Sequence, residues 1–143
     1  MVNARLYLEK IADAGARIRL NQERAQRLHE SLLSLSAPMD KEQVSHTKNV
    51  TLMQDTIARI IDMEREIDHQ TDELLALHQK ARVYFNMLKA SSSSVLTYRY
   101  LDNMEYADVA KAMNYAESTM YRVLREAIAE LQELFNSLGI EIP

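Results

Sequence analysis

LTYRYLDNMEYADVAKAMNYAESTMYRVLREAIAEL, Leu96 to Leu131, is the stretch whose reading decides the fold. Its centre, Tyr106 to Arg125, divides into two helical periods separated at Asn114-Tyr115. Val109, Ala110 and Met113 fall on one inner face, and Met120, Val123 and Leu124 on the inner face of the following segment. That spacing is the apolar skeleton of a helix-turn-helix. Two helices that cross closely need a small residue at the contact, which Ala110 supplies. A chain that leaves one helix and turns sharply into another uses left-handed backbone, which asparagine tolerates best after glycine, and Asn114 stands there. Ser118 is placed to cap or open the second helix. Glu117, Ser118, Tyr121, Arg122 and Arg125 project from the outer face that a recognition helix presents.

Working outward, four serines, Ser91 to Ser94, precede this stretch. They are poor in helix propensity and read as a hinge and domain boundary. A short helix near Val95 to Leu101 and a turn at Asp102-Asn103 lead into the first helix of the motif, Tyr106 to Met113. The second runs from Glu117 to about Ser137, longer than a bare recognition helix. Its distal stripe of Ala127, Ile128, Leu131, Leu134, Phe135 and Leu138 must be buried, either against the N-terminal helices or against another subunit.

The N-terminal half has a different grammar. Ala4, Leu8, Ile11, Ile18, Ala25, Leu28 and Leu32 recur at steps of three, four and seven, one long amphipathic helix. Met53, Ile57, Ile60, Ile67, Leu74, Ala81, Phe85 and Leu88 describe a second. Between them, residues 34–50 with Pro38 read as a connecting loop. Folding the two helices back on each other sets Leu32 against Met53, Ala25 against Ile60, Ile18 against Ile67 and Ile11 against Leu74. The same register places Gln22 opposite Glu64 and Gly15 opposite Thr71, as an antiparallel coiled-coil hairpin requires. The expectation is an all-α chain, with a hairpin over residues 1–90 and a helix-turn-helix domain over 91–143. Ile61, Leu75 and Leu77 are left over as a stripe through which a homodimer would form.

Arg99-Tyr100, then Met113-Asn114-Tyr115 closing an acidic-aliphatic helix, then Ala127 to Leu131, form a recognisable series. The stretch from Leu96 resembles the promoter-reading C-terminal domain of bacterial sigma factors. The whole chain is similar to a family of short phage and prophage proteins that pair a helical hairpin with such a domain, some relatives being late-gene transcription regulators. The resemblance implies a sigma-factor-like helix-turn-helix that contacts double-stranded DNA, in the cytoplasm of a bacterial host. Downstream of Arg125 the chain departs from that pattern, with Glu126, Glu130 and Glu133 where basic residues are expected.

Composition narrows the rest. Only 2 glycines and 2 prolines in 143 residues leave few turn signals, and 47% hydrophobic content is enough for a core. The chain has no cysteine, so disulfides and thiolate metal sites are excluded. No apolar run reaches the roughly 18 residues of a membrane span, and MVNARLYLEK lacks the apolar core of a secretory signal. Two glycines cannot build a glycine-rich phosphate loop. Glu66 and His69 share a helix face at the spacing of a di-iron ligand pair, but such bundles need a second pair, and the chain has none. His29 and His78 read as satisfied residues of apolar seams. Neither an enzyme nor a bound cofactor or metal is expected.

Charge divides the chain unevenly. Residues 1–90 carry 13 basic and 13 acidic side chains, whereas residues 91–143 carry 4 and 8. Neutralisation of phosphates by Lys and Arg dominates nucleic-acid affinity. Two readings therefore stand. In one, Lys111, Arg122 and Arg125 form a local basic patch on DNA with Glu117, Ser118 and Tyr121 beside it, and a dimer or a partner such as RNA polymerase supplies the remaining affinity. In the other, the hairpin and the acidic C-terminal domain bind a host protein.

Overall fold

The computed structural model describes residues 2–36 and 46–140. Among these residues the chain is all-helical, with no strand: α1 (Ala4–Ser36), α2 (His46–Phe85), α3 (Ala90–Leu96), a π-helical turn (Thr97–Leu101), α4 (Tyr106–Met113) and α5 (Glu117–Leu138). The loop expected over 34–50 is narrowed from both sides. Leu28, Leu32 and Leu35 carry the apolar period on to the end of α1, and α2 already begins at His46. Residues 37–45, including Pro38, lie outside the described residues.

The chain divides into two compact units, one formed by residues 1–15 with 73–143, the other by residues 16–72. The boundary expected at residue 90 falls inside the first unit. Apolar periodicity shows that a face is buried, and is silent on which element buries it.

In the first unit a single core gathers Ala4, Leu8 and Ile11 of α1, Ala81 and Phe85 of α2, and Val95 and Leu96 of α3. Val109 and Ala110 of α4, and Met120, Val123, Leu124, Ala127, Leu131 and Phe135 of α5, belong to the same core. The distal stripe of α5 thus finds its partners within the chain. Phe135 sits between two tyrosines, edge-to-face with Tyr7 and with Tyr84 at 5.2 Å each, and Tyr7 meets Tyr84 at 6.1 Å. Such pairs stabilise beyond the area they bury. Leu138 departs from the expected stripe and stays 46% exposed. One amide fastens the start of α1 to α5: Gln132 Oε1 accepts from Ala4 N at 2.8 Å, and Gln132 Nε2 donates to Val2 O at 2.6 Å. Ala4 N is one of the donors that a helix start leaves without an intrahelical partner.

The serines read as a hinge are helical. Ser92 is fully buried in α3, where its Oγ donates to Glu130 Oε2 at 2.7 Å, while Lys89 N donates to Glu130 Oε1 at 2.9 Å. A carboxylate borrowed from α5 serves as the cap that Lys89, at the capping position, does not provide. Weak intrinsic propensity is overridden by this tertiary contact. Burial alone would raise the Glu130 carboxyl, but the hydrogen bonds from Ser92 and Lys89, with the Lys89 charge, outweigh it and hold the group below its ordinary range.

Gly15 reads in the sequence as a weak layer, and the structure gives it another reason. A Cβ there would stand 2.7 Å from Asn103 Nδ2, so the absent side chain makes room for that amide. His78 differs from expectation too. Its Nε2 is buried with no hydrogen-bond partner among the described residues, and burial, reinforced by Arg82 and opposed by Asp102, pushes the imidazole below its ordinary range.

The second unit has a thinner interior. Ile18, Ala25 and Ile60 are its buried apolar residues among those described. Asn21 Nδ2 donates to Gln70 Oε1 at 2.9 Å, and His29 Nε2 lies 3.1 Å from Glu64 Oε1. Glu64 thus meets a residue seven positions beyond the expected Gln22. Where apolar residues repeat every seven positions, a slip of seven still sets apolar against apolar, and the polar partners alone reveal it.

Candidate nucleic-acid interface

The turns are made as their residues dictate. Asp102 N donates to Thr97 O at 2.9 Å, closing the π-helical turn, and Asn103 follows with φ 53°. Asn114 ends α4 with φ 57° and ψ 39°, and Tyr115 N then donates to Ala110 O at 2.9 Å. This is the left-handed ending that asparagine permits, with the six-to-one bond of a Schellman closure. Tyr115 and Ala116 lead out, and α5 opens at Glu117. Ser118 does not cap it. Ala116 holds the capping position with extended backbone and offers no side-chain acceptor, so Ser118 falls within the first helical turn.

On the inner side Val109, Ala110, Met120, Val123 and Leu124 are buried, as their spacing predicts, while Met113 is only half-buried. On the outer side Lys111 of α4 and Glu117, Ser118, Tyr121, Arg122 and Arg125 of α5 are all exposed. Arg122 Nη1 lies 3.6 Å from Glu126 Oε1, one helical turn away, so part of its charge is answered locally. Among the described residues neither Lys111 nor Arg125 has an acid within ion-pair distance. Glu117 in the first turn of α5 suits the helix dipole, and it adds a negative charge to the same face.

Tyr121 belongs to a small stack that sequence reasoning passed over. Its ring meets Tyr106 at 5.2 Å, tilted by 47°. Over the Tyr106 ring lies the guanidinium of Arg99, 3.9 Å from its centre, and Arg99 Nη1 also donates to Met104 O at 2.8 Å. The backbone of the turn holds Arg99, Arg99 holds Tyr106, and Tyr106 orients Tyr121, with a cation–π contact in the middle. The signal available beforehand was the Arg99-Tyr100 pair, whose arginine is the one charged residue between Ala90 and Leu101.

Among the described residues no helix is long and apolar enough to cross a membrane, and no group of three or more metal-ligating side chains is gathered. No curated protein and no solved structure matches the chain. Residues 33–132 match the model of a family described as a protein of unknown function, DUF1492. The match spans α2, α3, α4 and most of α5, well over half of the sequence, and it leaves the core residues Ala4, Leu8 and Ile11 outside. The chain belongs to the DUF1492 family.

Proposed function

We propose that this chain is a phage-type transcription regulator that binds double-stranded DNA without catalysing a reaction. In this reading α4, the Asn114 turn and α5 are a sigma-factor-like helix-turn-helix, and Glu117 to Arg125 enter a major groove. Arg125 and Lys111 take phosphates. Arg122 exchanges Glu126 for a phosphate or a guanine edge, and Ser118 and Tyr121 complete the contact. The remaining length of α1 and α2 is an antiparallel hairpin that serves as a handle for RNA polymerase, another host protein or a second copy, in the cytoplasm of the bacterial host. The observation that carries the reading is the left-handed Asn114 ending between α4 and α5, with an exposed α5 face whose Arg125 is unpaired among the described residues and whose Tyr121 is held by Tyr106.

The test is a polarisation titration against duplexes from the gene's own neighbourhood at several salt concentrations. Selective binding with a steep salt dependence is expected. The double substitution Arg122→Ala/Arg125→Ala should remove selectivity and flatten the logarithmic salt slope by about 2, close to one per lost phosphate contact. Unchanged affinity in a variant that keeps its helical circular dichroism would sink the assignment.

A second reading is favoured by one observation, the excess of acidic over basic side chains in residues 91–143. Here the chain is a protein-interaction module, and DNA binding is absent even at low salt.

A further inference from the structure

Within residues 16–72, α1 and α2 border a groove of about 500 Å³. Its floor is apolar, made by Leu28 and Met63, both half-buried. Arg24 and Arg27 stand on the α1 wall, one helical turn apart, and Arg59 on the α2 wall. Asp62 and Glu66 share the α2 wall. A seam that only needs closing uses such flanking charges to pair across it. Here, among the described residues, none of the three guanidinium groups has an acid within ion-pair distance, although two carboxylates line the same groove. The charges border the groove without closing it.

We infer that this groove docks an amphipathic helix of a partner protein, laid along α1 and α2 with its apolar side chains on Leu28 and Met63 and an acidic flank against Arg24, Arg27 and Arg59. Arginine suits the role, since its planar fork takes a carboxylate in two parallel hydrogen bonds. Two features argue against a nucleic acid here. Asp62 and Glu66 would repel a phosphate backbone, and an apolar floor offers it nothing. Both features suit a helix, which can turn leucines to the floor and a basic residue to the two carboxylates. The inference deepens the protein-interaction reading and shares no residue with the proposed DNA face.

The experiment is a selection from a displayed library of helical peptides against the full-length protein, with affinities then measured on synthetic winners. Expected are helices with an apolar face and an acidic flank, each losing at least about tenfold in affinity for the variant Arg24→Gln/Arg27→Gln/Arg59→Gln, because charged pairs at a helix interface set partner choice. All three side chains are exposed, and circular dichroism of the variant checks that the helices remain. A second variant, Met63→Glu, tests the floor independently and should lose the same peptides. Winners without acidic enrichment, or winners indifferent to both variants, would overturn the inference. Loss of self-association in the triple variant would also overturn it, giving the groove to a second copy, as would loss of duplex DNA binding. If the triple variant binds DNA as the unaltered protein does, the two proposals stand or fall separately.

Discussion

The two compact units each take a part of the same two long helices, yet they are unequal in what they bury. Residues 1–15 with 73–143 share one core of nineteen buried residues among those described, with three aromatic rings locked edge-to-face. Residues 16–72 show three buried apolar side chains among those described, and polar pairs such as Asn21 with Gln70 sit in the seam. The difference teaches that an amphipathic stripe is only as stabilising as the number of elements that converge on it. A pair of helices buries a narrow strip, whereas further helices bury whole side chains. The thin unit is also the one that carries the charged groove, and surfaces offered to partners are drawn from the less stable parts of a fold.

The comparison breaks or sharpens first on core truncations. Phe135→Ala should cost about 3–5 kcal/mol and raise amide exchange throughout residues 2–15 and 73–140. Ile60→Ala should cost about 2 kcal/mol, the low end for such a truncation, and raise exchange chiefly within residues 16–36 and 46–72. If both variants raise exchange equally across the chain, the division into unequal units is wrong.

An intermediate effect is expected at Glu130. Glu130→Gln keeps the shape but weakens two charge-assisted bonds that cap α3, at a cost of about 1–2 kcal/mol near neutral pH. Because the folded carboxyl titrates below its ordinary value of 4.5, this stability is fully present above that pH. It is lost as pH falls through the folded value, so the gap between the two proteins should close in acid. Denaturation at pH 7 and at successively lower pH measures it, and a gap that never narrows as the pH falls would assign the effect to packing.

The smallest effect should come from Tyr7. Burial, with Tyr84 beside it, pushes its hydroxyl up to about 12, and that oxygen has no hydrogen-bond partner among the described residues. Tyr7→Phe should therefore change stability by less than about 1 kcal/mol at pH 7. The sign at high pH is distinct. A raised folded pKa gives stability that is complete below pH 10 and is lost as pH climbs toward 12. The phenylalanine variant should lack that part of the alkaline loss, read from thermal melts at pH 8 and pH 11.

What could be read beforehand was local. Asn114, Ala110 and the inner face of α4 and α5 follow from spacing and backbone preference alone, and so does α2 from about residue 50, although it stops at Phe85, short of the expected Leu88. Joining residues 2–15 to α5 could not be read that way. The heptad pattern of α1 weakens at Gly15 but resumes at Ile18, and the bonds that fix the pairing, from Gln132 to Val2 and Ala4, link residues about 130 positions apart. The register in the second unit was ambiguous because a slip of one heptad leaves every apolar match intact. The serines misled because their propensity was weighed without Glu130, a residue that looked like an objection to DNA binding and turns out to hold α3. At the candidate site the outward face was legible, while the Arg99–Tyr106–Tyr121 stack needed the turn at Asn103 to bring its members together.

The Gln132 clasp also bears on the order in which the chain can assemble as it is synthesised. Residues 16–72 are complete, with all their mutual contacts available, well before α5 has been made. Val2, Tyr7, Leu8 and Ile11 leave the ribosome well over a hundred residues ahead of Leu131 and Phe135, which share their core. The apolar start of α1 must therefore stay exposed, or shielded by a chaperone, until α5 has been made. The closure of the better-buried unit is then a late, long-range event, of the kind that topology makes slow.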